Sequence, residues 1–266
     1  VIRAAAIRPG ETVLEPSAGT GALAGFAVRA GGKPMLNEID PFRRALLEAT
    51  IDTQVTGFDA EHIDDLLTVP DLPGVIVMNP PFASSVDRSR DRHIAAKHLI
   101  SAAKRLAPGG RLVAIMPMGF SPERDAAHWS RASAIAKPRL ALTIPVHVYR
   151  KLGTTVETQL MVFDKVQEEI EIVRAMVDDL DAARQIIDDI AATRTATPSI
   201  QTGTQFRTGS RRVVVPVARQ RPIAQAASAK PKSHAAIPLA FTCLGTPRES
   251  TPVSDIYARY RPQRIE

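Results

Sequence analysis

The stretch "GVIVMNPPFASS", residues 74–85, decides how the rest of the chain is read. A run of apolar and β-branched residues, Val75 to Met78, predicts a buried strand. Asn79-Pro80-Pro81-Phe82 then ends it, because proline has no N–H to give to a sheet ladder. A buried strand thus delivers an amide, two rigid carbonyls and an aromatic ring to its own carboxyl end.

Upstream and downstream the periodicity alternates. "ETVLEP" (11–16), "KPMLNEI" (33–39), "DTQVTGF" (52–58) and "GGRLVAIMP" (109–117) read as further strands. Between them, "GALAGFAVRAGG" (21–32), "PFRRALLEAT" (41–50), "AEHIDDLL" (60–67) and "RHIAAKHLISAAKRLA" (92–107) read as helices, the first ending in cap glycines and the second opening on Pro41. After a helix at "ERDAAHWSRASAIA" (123–136), "RLALTIPVHVY" (139–149) and "ETQLMVFDK" (157–165) lie close enough around Gly153 to form a hairpin. The expectation is an α/β fold: a doubly wound, Rossmann-like, mostly parallel seven-stranded sheet with a C-terminal antiparallel hairpin at or near one edge. A helix and a largely irregular tail should follow. In such folds ligands bind outside the carboxyl ends of the strands.

Composition bounds the alternatives. The 266 residues are 44% hydrophobic and 23% charged, which suits one full-sized core with something extra. No apolar run approaches the roughly 18 residues of a membrane span, so no membrane partner is expected. With Cys243 the only cysteine, disulfide frameworks and paired-cysteine metal sites are excluded, and a reducing, cytoplasmic setting is expected. His93 and His98, the closest histidine pair, do not stack on one helix face at a spacing of five. No metal site is expected. The chain opens on Val1 in helical-looking sequence and reads as a piece of something longer.

Charge is unevenly placed. Residues 1–192 hold 22 Lys and Arg against 25 Asp and Glu, a net of −3, whereas residues 193–266 hold 12 against 3, a net of +9. Such a basic tail is an electrostatic footprint for an anionic polymer. It reads equally as a solvated linker.

The other strand ends carry chemistry too. "LEPSAGTGALAG" (14–25) follows the first strand, and Gly19 and Gly21 allow a tight turn and close approach of backbone to a ligand. With Ala24 the loop also satisfies the looser dinucleotide fingerprint, so the glycines alone do not choose a cofactor. Glu38, 17 residues beyond Gly21, stands where an acid bonds ribose hydroxyls. Asp59 ends the third strand; it could accept from an adenine amino group or simply cap the following helix.

Taken together, "VLEPSAGTGALA", Glu38, Asp59 and "VIVMNPPF" resemble the class I S-adenosylmethionine-dependent methyltransferases that methylate amines, and within them the DNA adenine-N6 methyltransferases of the NPPF type. The resemblance covers residues 1 to about 166. It implies S-adenosyl-L-methionine as cofactor, held by Glu15, Pro16, Ala18, Gly19 and Gly21 around the methionine moiety, Glu38 at the ribose, Ile39 and Asp59 at the adenine, with Asn79 adjoining. It also implies Asn79, Pro80, Pro81 and Phe82 as the catalytic tetrapeptide. The segment that precedes the first strand in the family is cut short here.

The tetrapeptide then has a physical rationale. An exocyclic adenine amine is planar, its lone pair delocalised into the ring, and so a poor nucleophile. Acceptors aimed at its N–H bonds, the Asn79 side-chain oxygen and the Pro80 carbonyl, favour pyramidalisation and stabilise charge developing in the transition state. Phe82 offers a face for an extruded base. The bland reading is a strand terminator beside a core phenylalanine. Arg88, Arg90 and Arg92 in "ASSVDRSRDRH" (83–93) could hold phosphates of a DNA partner, although Asp87 and Asp91 could equally pair them.

Four regions are therefore expected: a methyltransferase domain over 1–166, an acidic amphipathic helix over 167–192, a basic Pro/Ser/Thr-rich linker over 193–253 with Arg211 and Arg212 available to nucleic acid, and 254–266. The last, within "SDIYARYRPQRIE", resembles the junction before the helicase-like part of mobile-element proteins related to the strawberry notch family, which implies a helicase-like domain in the same full-length chain. Two other readings stay open: methylation of an RNA guanine N2 or a protein glutamine amide, and a non-catalytic cofactor-binding platform attached to a helicase.

Overall fold

Val75–Met78, buried at all four positions, forms the central strand β4, flanked in parallel by β1 (Thr12–Glu15) and β5 (Arg111–Pro117). The structure is a computed structural model and describes residues 1–68, 71–82, 91–145 and 157–194. β2 (Lys33–Asn37) and β3 (Val55–Thr56) continue the parallel sheet beyond β1. On the other side β7 (Thr158–Asp164) runs antiparallel between β5 and β6 (Lys137–Ile144), and β8 (Val173–Met176) closes the edge parallel to β6. The order is β3-β2-β1-β4-β5-β7-β6-β8.

The α/β expectation holds, with two differences. The hairpin is threaded inward: its second strand, β7, takes the place beside β5, and β6 lies outside it. The sheet also has eight strands, not seven, because part of the segment read as an acidic helix is β8. Ile172, Val173 and Val177 are β-branched, and the open edge of β6 supplies ladder partners from Leu140 to Thr143. The helix begins only at Leu180, where the Asp179 carboxylate accepts the N–H groups of Asp181 and Ala182.

Helices cover both faces. α4 (Ile63–Leu66), α5 (Ile94–Arg105) and α6 (Ala126–Ile135) bury Ile63, Leu99, Ile100 and Ala132 against Ile76, Met78, Leu112 and Ala114 of the sheet. On the opposite face α1 (Ile2–Ala5), α2 (Ala22–Arg29) and α7 (Leu180–Ala192) place Ala4, Ala5, Ala27, Ala183 and Ile190 over Val75, Val77, Val113 and Val162. α3 (Pro41–Thr50) begins at an Asp40 cap and packs Leu47 against Leu36 and Val55.

Arg111 is fully buried and binds four partners. It pairs with Asp164 at 2.7 and 2.9 Å and donates to the carbonyls of Ala4 and Ile190, at 3.2 and 2.8 Å, and to Thr193 Oγ1. Arg194 likewise reaches the Ala6 carbonyl at 2.7 Å and the Glu11 carboxylate. Residues beyond 166 are thereby joined to the first helix. No helix among the described residues is long and apolar enough to cross a membrane.

Arg88, Arg90, Arg211 and Arg212 lie outside the described residues. So do the turn around Gly153, the linker from 195 onward and the stretch 254–266.

Candidate functional site: two cavities either side of Asn79–Phe82

The carboxyl ends of β1, β2, β3 and β4 converge on a cavity of about 290 Å³. Its walls include Pro16, Gly19, Glu38, Ile39, Asp59, Asn79 and Pro81. These residues, spread over 66 positions of sequence, meet because four parallel strands end at one level. The expected site residues are thus largely brought together. Glu15, Ala18 and Gly21 are not among the lining residues: the first two are buried under the loop, and Gly21 caps α2.

Backbone conformation explains the glycines. Gly19 and Gly21 have φ of 58° and 86°, where side chains are strained, and a Cβ on Gly21 would stand 2.6 Å from Leu47. The turn frees the Gly19 N–H, which donates to Glu38 Oε2 at 2.7 Å. The other oxygen of Glu38 accepts from the Asp40 N–H at 2.9 Å and the Arg43 guanidinium at 2.8 Å. Ile39 is exposed at the next position. Asp59 accepts the Glu61 N–H at 2.9 Å and so caps the short 3-10 turn Ala60–His62 while lining the cavity.

Sequence reasoning missed several residues here. Asn37 donates to the carbonyls of Pro16 and Phe58, at 2.8 and 2.9 Å, and its oxygen accepts from Thr56 Oγ1 and the Phe58 N–H. One buried amide thus stitches together the ends of three strands. Its place beside Glu38 at the end of an apolar strand was the available signal. His98, nearly buried, also lines the cavity, with Nδ1 3.4 Å from Ser17 Oγ and Nε2 without a partner; burial pushes its pKa down. Behind the loop, burial pushes the Glu15 carboxyl up to about 8, against a hydrogen bond from the Ala24 N–H and aided by the Glu38 charge.

Asn79 is exposed at the end of β4, and Pro80 behind it is buried. Phe82 packs against the core formed with α5 and α6 and lines a second cavity of about 440 Å³. Arg92, His93, Phe120, Arg124 and Asp125 share that cavity. Gln159 fixes its floor by donating to the carbonyls of Pro117 and Phe120, at 3.1 and 2.7 Å. Beside it the Asp125 carboxylate holds two imidazoles: His93 Nδ1 at 3.0 Å and His128 Nδ1 at 2.7 Å, their rings stacked at 4.7 Å. No histidine spacing disclosed this group, since His93 and Asp125 are 32 residues apart and meet only when α5 packs on α6.

The donor set suits a nucleoside carrying a cationic side arm. Glu38 and Asp59 present carboxylates to the cavity that Gly19 also lines, whereas Glu15, behind the loop and protonated near neutrality, has one carboxyl oxygen without a partner.

No known family profile and no curated protein sequence matches the chain. Solved structures do. The type I restriction-modification system methyltransferase subunit of Streptococcus thermophilus superposes with a TM-score of 0.55 at 14% identity, over 73% of this chain and 52% of that one. A Listeria monocytogenes protein described as a class I S-adenosylmethionine-dependent methyltransferase gives 0.52 at 11% identity, over 71% and 66%. A Vibrio vulnificus protein described as the modification subunit of a type I restriction enzyme gives 0.51 at 18%, over 65% and 44%. The chain spans between 44% and 66% of the length of these structures. What it shares with them is the fold: an α/β chain built on the Rossmann-like architecture of the class I S-adenosylmethionine-dependent methyltransferases.

Proposed function

We propose that this chain transfers a methyl group from S-adenosylmethionine to an exocyclic amine, adenine N6 in DNA. The observation that carries the reading is the placement of Asn79–Phe82. Asn79 and Pro81 line the cavity bounded by Gly19, Glu38 and Asp59, while Phe82 lines the second cavity. A strand terminator alone has no reason to divide its residues between two cavities.

Glu38, Asp59 and the glycine turn would hold S-adenosylmethionine, which supplies an electrophilic methyl on a sulfonium. The chain's own work lies with the acceptor amine. Asn79 Oδ1 and the Pro80 carbonyl accept from its two N–H bonds, localise the lone pair and stabilise the positive charge that grows on nitrogen. Phe82 and Phe120 supply apolar faces for a planar base, and Arg92 and Arg124 supply positive charge for the phosphates beside it. The type I restriction-modification neighbours favour DNA as the polymer, and the +9 tail fits any polyanion. A helicase-like continuation of the full-length chain rests on residues 254–266 alone.

Incubation with methyl-labelled cofactor and separate DNA, RNA and protein fractions tests this reading. N6-methyladenine in nuclease digests of DNA is the expected product. Label in RNA guanine or protein glutamine moves the acceptor class, and no transfer with tight cofactor binding supports the platform reading.

A further inference from the structure

From the cluster beside the Phe82 cavity we infer that His93, Asp125 and His128 form a binding site for a first-row divalent transition metal, zinc foremost. Among the described residues this is the one group of three such side chains whose ligand atoms all lie within 4.8 Å of one another. Two imidazole nitrogens and a carboxylate oxygen are a borderline donor set that zinc, cobalt and nickel accept and that magnesium and calcium do not favour. Bond lengths of 2.0–2.2 Å put tetrahedral ligand atoms about 3.3 Å apart, so the 2.7 and 3.0 Å contacts need to open by about 0.6 and about 0.3 Å.

The fold places the three ligands. His93 occupies the cap position of α5, and Asp125 that of α6, with His128 one turn along on the same face. All three are half-buried or more, with side-chain exposures of 32%, 10% and 17%. His93 and Asp125 line the 440 Å³ cavity, so a fourth coordination position would face open space and take water or an anionic oxygen. Arg92 and Arg124 in the same wall favour the anion.

A tautomer change distinguishes a bound metal from a mere hydrogen-bonded clamp. An ionised carboxylate only accepts, so without metal both rings carry their proton on Nδ1. Arg92 Nε donates to His93 Nε2 at 3.1 Å, which requires the same tautomer. A metal on Nδ1 moves each ring proton to Nε2 and dismisses Arg92 from His93.

The test is titration of the chelator-treated chain with zinc by calorimetry and with cobalt by visible absorption, alongside nitrogen chemical shifts of the histidine rings. Expected are one metal per chain and conversion of His93 and His128 to the Nε2–H tautomer. Asp125→Asn and the double variant His93→Asn/His128→Asn should each weaken binding roughly tenfold or more. His62→Asn, at an exposed histidine outside the cluster, should leave it unchanged. Thermal melts of the metal-free variants check that they fold. Absence of binding, binding that survives the double variant in folded protein, or unchanged tautomers each overturn the proposal.

Discussion

The Gly19 N–H donates to the Glu38 carboxylate at 2.7 Å, so one side chain at the end of β2 latches the turn that follows β1. The same carboxylate takes the Asp40 N–H and Arg43, and only 4% of its side chain is exposed. The turn is therefore shaped before any ligand arrives, which lowers the ordering cost of binding.

Glu38→Gln should cost about 1–3 kcal/mol of stability, because an amide sets its own N–H₂ against one of the backbone donors. Arg43→Ala should cost under about 1 kcal/mol, since its side chain is 46% exposed and the pair is screened by solvent. Urea melts of both variants check this; equal losses would mean that the ion pair, not the backbone latch, holds the turn.

Stability should fall as pH rises through neutrality, on account of Glu15. Its carboxyl lies near 4.5 when unfolded and about 8 when folded, chiefly through burial. Between those values the folded chain holds a proton that the unfolded chain has lost. The stabilisation is complete below about 4.5 and is lost by the time pH passes about 8, with a slope of at most about 1.4 kcal/mol per unit. Glu15→Gln should flatten this part of the profile in denaturation series from pH 5 to 8. A wild-type slope retained in the variant would assign the titration elsewhere.

Asn79→Ala should lower turnover by roughly 10²–10³ with little change in cofactor affinity, as expected for loss of one aimed acceptor. Its exposure predicts no loss of stability. Phe82→Ala removes a stacking face worth roughly 1–3 kcal/mol per base, so it should act on polynucleotide affinity and be relieved at mispaired targets. Because Phe82 also packs on the core, its melting temperature must be measured in parallel. Wild-type turnover by Asn79→Ala would leave only the strand-terminator role.

Ending the chain at Val166 should prevent cooperative folding. The cut removes β8 from the edge of β6, takes α7 off Val113 and Val162, and strips fully buried Arg111 of its Ile190 and Thr193 acceptors. The Arg111–Asp164 pair itself survives the cut, but depriving a buried donor of its acceptors costs about 1–3 kcal/mol, added to the apolar burial lost with α7. Chains ending at 166 and at 200, compared by circular dichroism melts, decide it; equal melting would make α7 an appendage.

Deleting residues 201–266 should flatten the dependence of DNA affinity on salt, since each phosphate neutralised contributes about 0.9 to the slope of log affinity against log salt. Filter binding over a salt series measures this directly. An unchanged slope would mean that the tail's charge only keeps the chain soluble.

The part of the site written locally was legible. Gly19 and Gly21 announce a turn, Pro80 and Pro81 announce a strand end, and residues 74–79 announce the strand itself. Asn37, His98, Gln159 and the Asp125 cluster escaped, because each depends on a partner 19 to 81 residues away. β8 was misread for a different reason. In "EIEIVRAMVDDLDAARQIIDD" apolar residues fit a helical and a strand period equally well over a few positions. The unpaired edge of β6, which no local pattern displays, settles the choice.

The arginine contacts that join α1 to the end of α7 set an order of events during synthesis. Arg194 serves the Ala6 carbonyl across 188 residues, and Arg3 meets Asp188 across 185. At about 5–20 residues per second the first helix must wait roughly 10–40 s for these partners to be made. Throughout that interval the nascent chain exposes the apolar face of α1 and the bare edge of the growing sheet, a surface that chaperones bind. A synonymous change that slows translation between residues 120 and 190 would lengthen this exposure without altering one atom of the finished protein.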